Sequence, residues 1–363
     1  RKAPRITELV IIDSSSGSIP EGQLHGTVTM SKSMTDFSEG PAVFVATTAK
    51  WATVSPGAAV VGGQRNVDVM FVDEAWQQTW ARFLSLQALA SQFVLVGDPG
   101  QIPPIVRTDV ERWANWKANP ALPAPESLMR HRPGHVLSMN FDSSRRLGRR
   151  TCEMLQPMYR FPFGSSRRPT VTVDASGAVL PEIENMTIDG DLSSTDPRLL
   201  DLAAQRAVAL AHTTTTVSDD GAQSSASSDV IVTAAHRNQV AGIRSRIGSL
   251  LAADPGTHDR IIVDTFDSVQ GLEAACVVAI DPMIGQTDLS DHATEPGRLC
   301  VGLSRHTSHL TFVTSTAATA PFENNTDAAY ATRTELGLRM RAAIRAAATA
   351  ARRDLPGADG IAI

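Results

Sequence analysis

Short apolar runs rich in β-branched residues recur along the chain between stretches of helical periodicity, and this alternation restricts the fold more than any other feature. The runs are VFVAT at 43–47, VDVMFV at 67–72, FVLV at 93–96, VIVT at 230–233, IIVDT at 261–265, CVVAI at 276–280 and LTFVT at 310–314. Strands buried on both faces of a parallel sheet read as continuous runs of this kind, not as apolar–polar alternation. Between them, QQTWARFLSLQALAS (77–91) and HRNQVAGIRSRIGSLLAA (236–253) carry the spacing of crossover helices. The expected class is α/β, with parallel sheets flanked by helices.

The chain has 363 residues, 42% hydrophobic and 20% charged, which fits about 100–200 residues in each of two domains. Residues 117–135 hold Pro120, Pro123, Pro125 and Pro133 and read as a connector between sheets. The polar tract TTTTVSDDGAQSSASS (213–228) lacks the apolar content to bury a core and is expected to be a loop. After residue 318 comes RTELGLRMRAAIRAAATAARRDL, a good helix by propensity. Its bland reading is a solvated helix, and its sharper one a contact with a partner or backbone. No internal repeat is seen. The expected domains are therefore 1–134 and 135–318, with a helical tail at 319–363.

Composition also excludes classes. Cys152, Cys276 and Cys300 are far apart, which argues against a disulfide framework or a zinc knuckle and suits a reducing cytoplasm. The histidines show no metal-ligand spacing, and His131 and His135 read as loop residues. No run of about 18 uncharged apolar residues occurs, so no membrane span is indicated. The opening RKAPRITELVIID has no long apolar core or cleavage site and reads as the approach to a strand. A net charge of −5 does not suit a protein that coats duplex phosphates. It is compatible with a groove that grips a few nucleotides of single strand.

The strongest local signal is VDVMFVDEAWQ (67–77), where an apolar strand delivers Asp73 and Glu74 to its C-terminal end. Ligands bind at such ends in open α/β sheets. In nucleotide hydrolases one carboxylate there holds Mg²⁺ through water, and the next polarises the attacking water. The bland alternative is a solvated acidic turn. A second strand ends in FVLVGDPGQIPP (93–104), whose Gly97, Pro99 and Gly100 form a turn presenting Asp98 and Gln101. An amide at that place can hydrogen-bond a γ-phosphate or the attacking water. Alone, this stretch is an ordinary Gly/Pro turn; two such strand ends in this order are harder to dismiss.

DEAWQ and GDPGQIPP resemble motifs II and III of the superfamily 1 DNA and RNA helicases, most like their Upf1/Dna2-type branch. VIVTAAHRNQV (230–240), VDTFDSVQGLEAACVVAI (263–280) and RLCVGLSRHTSHLTFV (298–313) resemble the family's later blocks, the last two its motifs V and VI. The resemblance spans 67–313. It implies two RecA-like parallel-sheet domains, the first incomplete, with ATP and Mg²⁺ between them and single-stranded DNA or RNA as the track. Asp73 would hold the metal, Glu74 would be the general base, and Gln101 would sense the γ-phosphate with Asp98 beside it. Gly271 would let the backbone approach the phosphates, and Glu273 would contact the ribose. Arg305 would be the arginine offsetting transition-state charge, an effect of about 10³–10⁵ in rate. The family's other arginine falls in LSMNFDSSRRLGRR (137–150). Aligning on Asn140–Phe141 puts Asp142 there, which would be disabling. Aligning on hydrophobic spacing puts Arg146 there, opening a helix, and this is preferred. Thr47 and Thr48 in VFVATTAKWA, with Thr265 and Ser268, would face the nucleic acid, since hydroxyls are common phosphate partners. The tryptophans read as packing residues.

One expected part is missing. The family's phosphate loop, G-x-x-x-x-G-K-[ST], cradles phosphates with backbone amides and a lysine, and no such string occurs in this sequence. The stretches DSSSGSIPEGQ (13–23) and VVGGQRN (60–66) lack its ending. Two explanations stand: the loop lies upstream in a longer parent chain, or the fold is a degenerate one kept for binding. Either way, this polypeptide alone is expected to hydrolyse ATP poorly. The rival functions are a nucleic-acid or protein-binding module with a helicase-like fold, and an ATPase that remodels complexes without unwinding.

Overall fold

The computed structural model describes residues 8–12, 28–31, 42–53, 67–106, 109–113, 115–219 and 222–355. The stretches 13–23 and 60–66 singled out for their glycines lie outside the described residues. By its own contacts the chain forms two units, one of residues 1–98 and 103–137 and one of 99–102 and 138–363. Both are mixed α/β with parallel sheets.

The first unit places β1 (Glu8–Ile12), β2 (Val28–Ser31) and β3 (Ala42–Ala46) in a parallel sheet of order β2-β1-β3. Helix α1 (Thr48–Trp51) follows, then β4 (Val67–Val72), α2 (Trp80–Leu84) and β5 (Ala90–Leu95), with β4 and β5 paired in parallel. Its core gathers Trp51, Met70, Val72, Ala75, Leu86, Leu89 and Ala90, with Phe44 and Phe93 packed on them. The helix expected over 77–91 is corrected to the short α2. Thr79 caps it, accepting from the Arg82 amide at 3.2 Å, and the amides of Trp80 and Ala81 are taken by the carbonyls of Leu122 and Pro120. The proline-rich connector is itself partly helical: α3 runs Ala124–His131, with Pro123 before its first turn. Proline is tolerated there because the first helical amides have no intrahelical partner. His131 thus ends a helix instead of lying in a loop, and His135 sits in a 3₁₀ turn.

The second unit begins with β6 (Ser143–Ser144), α4 (Arg149–Leu155), β7 (Gly164–Ser165), β8 (Thr170–Val173), β9 (Ile183–Ile188) and α5 (Pro197–Ala211). It continues with β10 (Thr214–Asp219), β11 (Ala222–Ser227), β12 (Val230–Ala234), α6 (Arg237–Leu250), α7 (Pro255–His258), β13 (Ile261–Thr265) and β14 (Ala274–Ile280). It ends with α8 (Asp291–Thr294), α9 (Pro296–Leu303), β15 (His306–Ser315), α10 (Ala320–Glu323) and α11 (Ala331–Arg353). A parallel five-stranded sheet, β13-β12-β14-β15-β9, is its centre.

Alternate residues of that sheet feed two cores. Val230, Val232, Cys276, Val278 and Ile280 pack with α5 and α6 on one face. Ile231, Val277, Ala279, Leu310 and Phe312 pack with α4, α9 and α11 on the other. Burial on both faces is why these strands read as unbroken apolar runs.

One expectation fails here, and so does the bland reading of the tail. The tract 213–228 is not a loop: β10 and β11 form an antiparallel hairpin that pairs with β8. Thr215 is buried, and the hydroxyls of Thr172, Thr215, Ser228 and Thr213 form a chain with links of 2.7–2.8 Å. Hydroxyl pairing, with β-branched threonine favouring extended backbone, takes the place of an apolar core. Nor is the C-terminal helix solvated. Met340, Ile344, Ala347, Ala348 and Ala351 of α11 are buried in the second core, a spacing that forms one helical face. Burying a side chain the size of Ile344 contributes about 1.5–3 kcal/mol.

Candidate functional site

In the first unit, β4 and β5 end side by side. The Val96 amide donates to Val72 O at 2.9 Å, and the Ala75 amide donates to Val96 O at 2.8 Å. That interlock puts Asp73 and Glu74 on the exposed lip beyond β4, next to Gly97. A Cβ on Gly97 would lie 3.0 Å from the Trp76 ring and 3.1 Å from the Ala75 amide, so the small residue lets the two turns meet. Asp98 follows it, half-buried. Asp73 Oδ1 accepts the Glu74 amide at 2.9 Å, and Glu74 Oε2 accepts from Gln77 Nε2 at 2.6 Å. Glu74 has φ +51° and ψ +37°, and is the positive-φ non-glycine residue among those described. A side chain in the left-handed region costs roughly 1–2 kcal/mol, and such strain gathers where function requires a set geometry.

Mg²⁺ keeps several waters and needs one or two carboxylates plus phosphate oxygens. A single exposed carboxylate at a strand end fits that requirement. Among the described residues no group of three or more His, Cys, Asp or Glu could cage a metal by itself. Thr47 and Thr48 follow β3, but the Thr47 hydroxyl accepts the Lys50 amide at 3.3 Å and caps α1.

The second unit brings together residues drawn from distant segments. Its Pro99–Ile102 stretch packs on Tyr159 and Gly297, with Ile102 buried in the second core. A Cβ on Gly100 would lie 2.7 Å from the Tyr159 ring, and one on Gly297 would lie 2.5 Å from the Gln101 carbonyl. Gln101 Oε1 accepts from Gln270 Nε2 at 3.1 Å. Arg146 Nη1 lies 3.8 Å from Glu273 Oε2, with the arginine side chain 31% exposed and the glutamate 62%. Glu273 immediately precedes β14 and Arg305 immediately precedes β15, and the Ala274 amide donates to Arg305 O at 3.0 Å. Gly271 has φ +82° with open space where a Cβ would stand, so a substituent there meets strain but no clash.

Arg305 is 2% exposed, its Nη2 donating to Ser304 Oγ at 2.9 Å; its side chain is tucked in. Arg146 does not open α4 as expected but lies ahead of its N-cap, Gly148. At the opposite end of the sheet, Thr265 closes β13 and its hydroxyl lies 3.0 Å from that of Ser268.

Sequence reasoning missed the frame behind the arginines. The Glu182 carboxylate, just before β9, accepts the amides of Arg150 and Thr151 at 3.4 and 2.8 Å and so caps α4 from a distant segment. Gly148 makes room, because a Cβ there would run into that carboxylate. The Thr151 hydroxyl donates to Glu182 Oε1 at 2.6 Å, which leaves His306 Nε2 to donate to Thr151 Oγ1 at 2.8 Å. Burial, reinforced by the charges of Arg167, His309, Arg146 and Arg305, holds the His306 pKa well below the usual imidazole value. His306 is therefore neutral, and it ties β15 just after Arg305 to α4 just after Arg146. The one local signal for this frame was the glycine of SSRRLG.

No protein-family model matches the chain, and no curated protein sequence matches it. Solved structures do match. The PRRSV helicase shares 15% identity over 89% of this chain and 49% of its own, with a TM-score of 0.39. Arterivirus nonstructural protein 10 (helicase) shares 12% over 85% of this chain and 53% of its own, with a TM-score of 0.36. In complex with DNA, an arterivirus nonstructural protein 10 shares 11% over 84% and 47%, with a TM-score of 0.41. The chain spans about half the length of these structures. Superpositions at this level carry no residue-by-residue correspondence.

Proposed function

We propose that this chain carries motor elements of a superfamily 1 helicase or translocase, built on two RecA-like domains and coupling ATP hydrolysis to movement on single-stranded DNA or RNA. In this reading Asp73 holds Mg²⁺ through water, and Glu74 is the general base. Gln101, with Asp98 near it, senses the γ-phosphate; Gly271 and Glu273 receive the nucleotide, and Arg146 and Arg305 offset the charge that develops on the phosphoryl group. Bound Mg²⁺ supplies charge neutralisation on the phosphates. Thr47, Thr48, Thr265 and Ser268 face the strand. The phosphate loop is assigned to an upstream part of a longer chain.

The observation that carries the reading is two contacts within the second unit, Gln101 with Gln270 and Arg146 with Glu273. These residues come from three stretches of the sequence, 93–104, 137–150 and 263–280; the first and last resemble motifs of the same family, and the middle one holds the position preferred for its other arginine. The test is ATP turnover by the full-length parent, with and without single-stranded DNA or RNA, for wild type beside Glu74→Gln. Strand-stimulated turnover that falls by about 10²-fold or more in the variant is expected for loss of a general base. One observation favours a second reading, a binding module without motor activity: the sequence has no G-x-x-x-x-G-K-[ST] string. Strand binding without turnover in a parent that contains the loop would select it.

A further inference from the structure

At the C-terminal ends of β12 and β13 the second unit holds an aromatic feature that the nucleotide-side residues do not use. His236, two residues beyond β12, and His292, on α8, stack with ring centroids 5.6 Å apart and planes 16° from parallel. His236 is half-buried and His292 is exposed, so His292 is the outer ring of the pair. The arrangement is held from several sides. Gln286 Nε2 lies 3.3 Å from His236 Nε2. Arg298 Nη1 donates to the His292 carbonyl at 3.2 Å, while its Nε and Nη2 donate to Asp267 at 3.1 and 3.2 Å. Asp267 lies between Thr265 and Ser268, whose hydroxyls are 3.0 Å apart. Ala234, the last residue of β12, pairs with Thr265, the last of β13. Through Arg298 the loop that carries the two hydroxyls is bonded to the backbone of His292, at the C-terminal edge of the sheet.

A surface imidazole ordinarily rotates freely. Here a stacked neighbour and a tethered backbone fix its plane in advance, which lowers the ordering cost of laying another flat ring on it. Burial lowers the pKa of His236, and burial, Arg298 and His236 lower that of His292, with Asp267 opposing. Both rings are therefore neutral at neutral pH and act through their faces, not through charge. A neutral aromatic ring at the same end of the sheet as two hydroxyls suits a nucleotide: the base stacks and the hydroxyls meet the backbone.

We propose that His292, backed by His236, is a base-stacking platform for single-stranded nucleic acid on the second unit. This rests on the reading that the Thr265–Ser268 edge faces the strand. It adds a base contact that is indifferent to charge, so affinity depends on the presence of bases and not only on phosphates. Stacking of one base on an aromatic side chain is worth about 1–3 kcal/mol, or about 5- to 150-fold in affinity.

The experiment is fluorescence anisotropy of this chain with labelled dT12 and with an abasic 12-mer of the same backbone. It compares wild type, His292→Ala and His292→Phe across a salt series. Wild type is expected to bind dT12 about tenfold tighter than the abasic strand. His292→Ala should lose most of that preference with abasic binding and salt slope unchanged, and His292→Phe should restore it. Equal dT12 binding by wild type and His292→Ala, or an equal loss on both strands, overturns the platform alone. Absence of binding to either strand by wild type overturns the strand reading of this edge along with it.

Discussion

Glu74 shows how a residue can be found in the sequence while its physical state is not. The pair Asp73–Glu74 after an apolar strand was readable as strand-end chemistry. The left-handed backbone of Glu74 was not, because φ there is imposed by the interlock of Val72, Ala75 and Val96 across two strands. The strain is testable by itself. Glu74→Gly should be more stable than Glu74→Ala by about 1 kcal/mol, because glycine alone occupies this region without penalty. Urea unfolding of the two variants measures it, and equal midpoints would mean the turn relaxes in solution. The same division holds for other residues. Arg305 was legible as a candidate, but its burial against Ser304 was not. Glu182 and Thr151 left no mark in the sequence, since a carboxylate that caps a helix some 30 residues away follows no local spacing.

At the scale of elements, periodicity predicted those whose burial is simple and failed for those whose burial is mixed. Strands β12, β14 and β15 lie inside the sheet and read clearly. Strand β9, IENMTI, pairs on one side only with β15 and is neither an unbroken apolar run nor a regular alternation, because Glu184 and Asn185 stand together, so it went unread. Helix α11 was read as a helix, but its layer in the core was not. A buried ion pair ties it to the end of β14: Arg341, 4% exposed, donates through Nε to Asp281 Oδ2 at 3.0 Å. Asp281 also accepts from Thr314 Oγ1 at 2.8 Å and the Met283 amide at 3.0 Å, and Arg341 lies 4.8 Å over the Phe322 ring. Removing one partner of a buried pair strands the other's charge and costs about 3–5 kcal/mol. Arg341→Met is therefore expected to lower stability by that amount in chemical denaturation, with part recovered in the double variant Arg341→Met/Asp281→Asn. A loss below about 1 kcal/mol would show that α11 is not held through this pair.

Over the whole molecule, the division into two units makes its own prediction. Residues 136–142 have no regular secondary structure, and Leu137, Met139 and Phe141 are 88%, 82% and 85% exposed. Extended, exposed segments with large apolar side chains are preferred sites of nicking. Brief chymotrypsin treatment is expected to cut at Leu137–Phe141 before any other described segment. Because Pro99–Ile102 packs inside the second unit, the two products should part only under denaturing conditions. First cleavage elsewhere would remove the linker role from this stretch. By itself the sequence determined the layered parallel α/β class, the order of the strand-end motifs and the residue types they offer. Those depend on local periods of two and 3.6 and on turn chemistry within a few residues. The tertiary structure alone decided that a threonine-rich tract becomes a hairpin, that the last helix closes a core and that Gln101 meets Gln270. It also decided that two histidines far apart in the chain stack at one sheet edge. Such pairings arise from surfaces that fit only once the chain has folded, and no neighbouring residue encodes them.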